Sequence, residues 1–135
     1  MTTLKVGIAS YAEMKARTMA VARGKRRVRR GEPKVWFTSM ESFAKILSDK
    51  NRALLVLIAE TQPESLAALS ELSGRAKSNL SRTLRTMERY GLVQLRKGEG
   101  GTIVPRVPYR DISLDVPVAP GSPESSEAAS FNQRR

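Results

Sequence analysis

The sequence predicts a mainly α-helical fold with a small β-hairpin near its C-terminal end. Several segments carry apolar residues at helical spacing behind a serine or threonine cap, and the stretch LSELSGRAKSNL places two of them on either side of a glycine. Further on, the glycine-rich stretch RKGEGG separates two short aliphatic runs, which is typical of a hairpin tip. Two short helices, a tight turn and a following hairpin together predict a winged helix-turn-helix with an N-terminal strand-helix arm.

Residues 1–34 are predicted to form this arm. TLKVGIA at 3–9 predicts a short strand, and Ser10 with Glu13 forms a capping box that opens a helix over about 11–23. The stretch GKRRVRRGEPK that follows is too polar and too rich in glycine and proline to bury itself, so we expect an exposed basic linker.

The winged unit is predicted to occupy residues 35–118, and the Pro-, Ser- and Glu-rich tail at 119–135 is expected to be disordered. Caps and apolar spacing predict the elements of the unit in order: a strand-like run at 35–39, helices over 39–47, 49–61, 66–73 and about 76–90, hairpin strands near 92–95 and 102–104, and a last strand at 112–116. The helix over 49–61 is expected to begin at Ser48 and Asp49.

Three local expectations follow from these segments. Thr38 with Glu41 predicts a second capping box. The helix over 66–73 is expected to start at the cap Ser65, to end at Gly74, and to bury three leucines: Leu66, Leu69 and Leu72. The next helix is expected to bury one continuous stripe: Ala76, Leu80, Leu84 and Met87.

The helix over 76–90 carries strong positive charge on the sides that its apolar stripe leaves free. Glu88 is the only acidic residue from 75 to 96, so acid–base pairs along the helix cannot balance that charge. Arginine can bond guanine and asparagine can bond adenine in the major groove, while serine and lysine reach bases or phosphates. We therefore predict a DNA-binding set in this helix and the wing: Lys77, Ser78, Asn79, Ser81, Arg82, Arg85, Arg96 and Lys97. The alternative is that the side chains of the helix only keep an exposed surface soluble, and that the wing is an ordinary hairpin with basic ends.

The net charge of +11 is concentrated in two blocks. Residues 1–37 have a net charge of +8 and residues 74–110 of +7, whereas the intervening stretch 38–73 has −2. This distribution favours a polyanionic partner, either nucleic acid or a membrane surface. No large apolar moment accompanies the basic residues, so we predict double-stranded DNA as the partner. The basic arm comprises Arg23, Lys25, Arg26, Arg27, Arg29 and Arg30. It could track the minor groove or act as a general electrostatic tether.

The composition argues against several other functions. The chain has no cysteine and no histidine, and its 13 acidic residues are scattered, so we predict no enzymatic activity, no catalytic residues, no metal and no cofactor. No apolar run is long enough to span a bilayer, and the N-terminus lacks a signal-peptide pattern, which predicts a cytoplasmic protein without a membrane partner.

The helix over 11–23 carries an apolar stripe that includes Tyr11, Met14 and Val21. Such a stripe is usually a packing face. Because helix-turn-helix proteins usually bind DNA as two-fold dimers, we predict that this stripe contributes a dimer or partner contact.

The stretch SLAALSELSGRAKSNLSRTLRTMERYGLVQLRKGEGG resembles the winged helix of MarR/ArsR-like bacterial and archaeal regulators, over roughly residues 39–110. The wider pattern, from YAEMKARTMA through VWFTSMESFAKILSDKNRALL to VPRVPY, is similar to a smaller group of DNA-binding proteins, some of them encoded beside small toxins. This resemblance implies an antitoxin that represses its own operon and binds a toxin through a surface outside the helix-turn-helix. The absence of Cys and His departs from ArsR-type metal sensors, and the long flanking dimerisation helices of MarR regulators are missing.

Two other functions remain open at this stage. The winged helix could serve as a protein-interaction module with little DNA reading. The basic arms could instead bind RNA, although the few aromatic residues, at 5% of the chain, do not form an evident stacking platform in the sequence.

Overall fold

Helices hold about twice as many residues of the structure as strands do. The computed structural model describes residues 2–24 and 32–118. Over these ranges the elements are, in order, β1 (Thr2–Ile8), α1 (Tyr11–Ala22), β2 (Val35–Phe37), α2 (Met40–Ile46), α3 (Asp49–Thr61), α4 (Leu66–Ser73), α5 (Lys77–Arg89), β3 (Gln94–Lys97), β4 (Ile103–Arg106) and β5 (Tyr109–Asp115). The predicted α-rich character is confirmed, and the order of α4, α5 and the β3–β4 hairpin is compatible with a winged helix.

The N-terminal strand is the central strand of a parallel sheet with the order β2-β1-β5. Val6 of β1 pairs with Val35 of β2, and Leu4 pairs with Ile112 of β5. The sequence predicted all three strands but not their pairing. The N-terminal strand is thus hydrogen-bonded to the last described strand of the chain.

One hydrophobic core joins this sheet to the helices. Leu4 and Val6 of β1 belong to the same buried cluster as Leu69 of α4 and Leu84 of α5. Phe37 of β2 is fully buried and stacks on Tyr90 after α5, with ring centroids 4.3 Å apart. One face of the sheet therefore shares its core with the helix that was predicted to read DNA.

The opposite face of the sheet carries Trp36. Its ring lies over Gly7, the residue with which Trp36 is paired in the neighbouring strand. Arg17 of α1 lies over the same ring, with its guanidinium carbon 5.3 Å from the ring centroid, and forms an ion pair with Glu32. These contacts join α1 to the sheet, although no residue of α1 is fully buried.

The predicted caps of α1, α3 and α4 are confirmed. Ser10 and Glu13 form a reciprocal capping box, and Ser48 and Ser65 each accept a backbone hydrogen bond at the start of their helices. The predicted box of Thr38 and Glu41 is wrong. Ser39 adopts the extended conformation and accepts from the backbone N–H of Ser42, so α2 begins one residue later than that box requires.

Two of the predicted apolar stripes bury fewer residues than expected. Leu66 and Leu69 are buried, but Leu72 is 52% exposed. Each step of three residues turns a helix about 60° short of a full revolution, so the third leucine has left the buried side. Ala76 is likewise exposed, because it is the N-cap of α5 and precedes the first helical turn.

Candidate nucleic-acid interface

The turn between α4 and α5 consists of Gly74, Arg75 and Ala76. Gly74 has a φ of 74°, the left-handed conformation that glycine adopts without a steric cost, and its N–H donates to the carbonyl of Ser70. Glycine therefore ends α4 as predicted and lets α5 begin three residues later.

The second helix, α5, is divided into a buried and an exposed side. Leu80 and Leu84 are fully buried and Met87 is 1% exposed. Ser78, Arg82, Arg85 and Arg89 project from the opposite side, since they follow one another at helical spacings of four, three and four residues. Lys77 and Asn79 are also exposed, whereas Ser81 is half-buried.

The cations of α5 have no acidic partners among the described residues. Arg85 donates from Nε to Ser81 Oγ at 3.3 Å, and Arg89 donates from Nη2 to Thr86 Oγ1 at 3.3 Å. Within the described part of the chain, Lys77 and Arg82 make no side-chain hydrogen bond or ion pair. Their charges are therefore left for solvent or an anionic ligand.

The β3–β4 hairpin follows α5 after Gly91, which has a φ of 76°. Arg96 and Lys97 are exposed on β3, where they pair with Val104 and Ile103 of β4. Arg96 donates from Nη2 to Gln94 Oε1 at 2.6 Å. The third basic residue of the hairpin, Arg106, instead donates from Nη1 to the carbonyls of Pro63 and Pro105, both at 2.7 Å, and so holds the hairpin against the α3–α4 connection.

Arg75 is a polar residue of the site that sequence reasoning missed. Its guanidinium group donates to side chains on α3 and α5 rather than pointing into solvent. Its partner on α3, Asn51, lies 24 residues earlier in the sequence. Sequence spacing gives only the partners on α5, Asn79 and Thr83, at four and eight residues.

The remaining predicted residues fall outside the helix-turn-helix. Arg23 is exposed after α1, whereas Lys25, Arg26, Arg27, Arg29 and Arg30 lie outside the described residues, as does the tail at 119–135. Tyr11 is 73% exposed. Met14 and Val21 are half-buried, so the three residues of the predicted contact stripe differ in their exposure.

Three further observations concern membrane spans, metal ions and aromatic rings. None of the helices at 2–24 and 32–118 is both long and apolar enough to cross a membrane. In the same ranges, no three acidic side chains are grouped in a way that could hold a metal ion. Phe37 is buried and Trp36 lies under Arg17, so neither ring is freely presented to a nucleobase.

The helices and the hairpin described above define an α-rich chain in which a basic helix follows a three-residue turn and precedes a β-hairpin. The chain belongs to the HVO_A0114 family, whose model matches residues 46–114, from the end of α2 into β5. No curated protein matches the sequence. Among solved structures it is similar to the "predicted DNA-binding transcriptional regulator from E. coli", with 14% identity, a TM-score of 0.42, and coverage of 93% of this chain and 100% of that chain.

Proposed function

We propose that the protein is a sequence-specific DNA-binding transcriptional regulator in which α5 is the recognition helix. The observation that carries this proposal is the division of α5. Leu80, Leu84 and Met87 are used by the core, while Arg82 and Arg85 are exposed and lack acidic partners among the described residues. A helix anchored in this way can enter a major groove without exposing apolar surface, and its arginines can bond base edges or phosphates.

The hairpin and the basic arm would supply contacts to the DNA backbone. Arg96 and Lys97 are exposed on β3, which follows α5 directly. Arg106 is held by backbone carbonyls, so we assign it a role in positioning the hairpin. The arginines at 26–30 would add phosphate or minor-groove contacts.

The finer form of the proposal is a two-fold dimer that acts as a repressor in the cytoplasm. Two recognition helices about 34 Å apart reach successive major grooves, which is the usual arrangement for this motif. The exposed Tyr11 on α1 offers a contact surface outside the helix-turn-helix. That surface would serve either the dimer or a small toxin partner; the toxin rests on the sequence resemblance alone.

The test is to select bound sites from random double-stranded DNA and then to titrate the selected site by fluorescence anisotropy. We expect Arg82→Ala and Arg85→Ala each to weaken binding by about 1–3 kcal/mol, as for arginines that contact bases. Arg110→Ala is the matched control, because Arg110 is exposed on β5, outside the helix-turn-helix. Equal affinities for the wild type and both α5 variants would contradict the role of these residues.

The same purified protein distinguishes the two other functions. Co-purification with a protein partner, without retention on DNA, would favour an interaction module. Preferential binding of structured or single-stranded RNA over the selected duplex would favour an RNA-binding protein.

A further inference from the structure

Arg75 is held by hydrogen bonds from every nitrogen of its guanidinium group. Nε donates to Asn79 Oδ1 at 2.9 Å, Nη1 donates to Asn51 Oδ1 at 3.1 Å, and Nη2 donates to Thr83 Oγ1 at 3.2 Å. We call these four residues the Arg75 network. All three acceptors are neutral, so no carboxylate defines the position of the guanidinium group.

The backbone of Arg75 is fixed as well. Its N–H donates to Ser73 Oγ at 3.2 Å, and its carbonyl accepts from Ser70 Oγ at 2.7 Å. On the far side of the network, Asn51 donates from Nδ2 to the carbonyl of Ile46 at 3.0 Å. The network therefore runs from the end of α2 through α3 and the turn to the first turns of α5. Since both ends of the network are hydrogen-bonded to helices, the side chain of Arg75 cannot reorient without breaking several hydrogen bonds.

These contacts determine how the amide of Asn79 is oriented. A guanidinium group has donors but no acceptor, so the atom of Asn79 that faces Arg75 must be the amide oxygen. The Nδ2 group is then the polar end that remains, and it makes no hydrogen bond within the described part of the chain. Asn79 is exposed near the N-terminus of α5, where a recognition helix contacts base edges.

We propose that Arg75 is a positioning residue that makes Asn79 a hydrogen-bond donor to a base edge. This inference rests on the proposed function and refines it. The two-bond contact with adenine that asparagine can form needs Oδ1 as an acceptor and Nδ2 as a donor. With Oδ1 engaged by Arg75, Asn79 presents Nδ2 to an acceptor in the major groove, such as guanine O6 or N7, adenine N7 or thymine O4.

The experiment compares base preferences rather than affinity alone. Sites are selected from random double-stranded DNA with the wild type, Asn79→Ala and Arg75→Lys, and the preferences are confirmed by titrating sites that differ at one base pair. Asn79→Ala identifies the base pair that Asn79 reads. Arg75→Lys keeps the charge but replaces the three guanidinium nitrogens of the network by one amine. We therefore expect it to lower discrimination at that same base pair by roughly 5- to 100-fold. The double variant should lose no more than Asn79→Ala alone.

Two further variants separate positioning from a general loss of structure. Thr83→Val removes one acceptor of Arg75 without touching Asn79, and we expect a smaller loss of discrimination at the same base pair. Arg110→Lys is the matched control for the change from arginine to lysine and should leave all preferences unaltered. Circular dichroism and thermal unfolding of each variant establish that it is folded.

The outcomes distinguish this inference from the proposed function. If the wild type selects no sequence, the proposed function is wrong and the inference falls with it. If the wild type selects a site but Arg75→Lys weakens all sequences by the same factor, or alters base pairs that Asn79→Ala leaves unchanged, Arg75 does not position Asn79. A base preference that survives in Asn79→Asp, which keeps an oxygen acceptor for Arg75 but has no Nδ2 donor, would also overturn the donor assignment.

Discussion

At the residue scale, Gly7 lacks a side chain at a position where the ring of Trp36 packs closely against the backbone. A Cβ atom at this position would lie 2.5 Å from Cζ3 of Trp36, well inside normal contact. Glycine in a strand often marks such a close approach. Spacing along the chain does not reveal which ring lies across the sheet, so the sequence alone could not show this contact of Gly7.

We predict that Gly7→Ala displaces Trp36 and lowers the free energy of unfolding by about 1–3 kcal/mol, as for overpacking elsewhere. Trp36 is the only tryptophan of the chain, so its fluorescence emission reports the displacement directly. Lys5→Ala, at an exposed position of the same strand, is the control. An unchanged emission spectrum together with an unchanged melting temperature would contradict the close packing of these two residues.

The arginines differ in how far the sequence could predict their surroundings. The exposure of Arg82 and Arg85 follows from the spacing of Leu80, Leu84 and Met87 along one helix, and the structure places both arginines on the side opposite that stripe. Their DNA contacts stay predictions. The roles of Arg75 and Arg106 could not be predicted in this way, because their partners Asn51 and Pro63 are distant in sequence.

At the element scale, helix ends were predicted best where one residue could cap the helix. Ser48 and Ser65 each accept a hydrogen bond from the N–H three residues on, a contact that depends only on local sequence. Thr38 and Ser39 are two neighbouring hydroxyl residues that both suit a cap. The sequence pattern did not distinguish them, and the structure uses Ser39.

We predict that the first turn of α1 weakens in acid. The N–H of Ser10 donates to Glu13 Oε1 at 2.7 Å, and this hydrogen bond, together with the side chain of Ser10, lowers the pKa of Glu13 from its ordinary value. A lowered pKa in the folded state means that the contribution to stability is present above the ordinary pKa of glutamate and is lost as the pH falls through the folded value. Amide hydrogen exchange in α1, corrected for intrinsic pH dependence, measures this loss.

Glu13→Gln provides the control for that measurement. Glutamine retains an oxygen acceptor but does not titrate, so amide protection in α1 should no longer vary with pH in this range. Because no residue of α1 is fully buried, the effect should be confined to this helix and its neighbours. The same pH dependence in the wild type and in Glu13→Gln would exclude Glu13 as its source.

At the scale of the whole molecule, the N-terminal strand links distant parts of the chain. Residues 1–34 were predicted as an arm, and residues 35–118 as the winged unit. β1 nevertheless pairs with β2 and β5, and its Leu4 belongs to the core cluster that contains Leu84 of α5. A parallel pair needs a long connection, so strand pairing of this kind leaves no local pattern in the sequence.

We predict that Leu4→Ala destabilises the sheet and the helices together, by about 2–5 kcal/mol. Leu4 is 2% exposed, so truncating it leaves a cavity where the sheet meets the helical core. Unfolding followed by Trp36 fluorescence and by helical circular dichroism should give coincident transitions in the wild type and the variant. Separate transitions would show that the N-terminal region and the winged unit unfold independently.

We predict that the basic arm contributes to the salt dependence of DNA affinity. Replacing three arm arginines by serine should flatten the plot of log affinity against log salt concentration by up to about 0.9 per lost phosphate contact, with little effect on sequence preference. The residues to replace are Arg26, Arg27 and Arg29. A matched triple replacement of exposed cations on α2 and α3, at Lys45, Lys50 and Arg52, is the control. Lost sequence discrimination with an unaltered slope would contradict a backbone role for the arm.

By itself, the sequence determined the α-rich character, the helix caps at Ser10, Ser48 and Ser65, and the basic exposed side of α5. Each of these depends on residues a few positions apart along one element. Only the tertiary structure decided that β1 lies between β2 and β5, that Trp36 covers Gly7, and that Arg75 holds Asn79 from the turn. Sheet pairing and the Asn51 end of the Arg75 network join residues that are distant in sequence, and local periodicity carries no information about such partners.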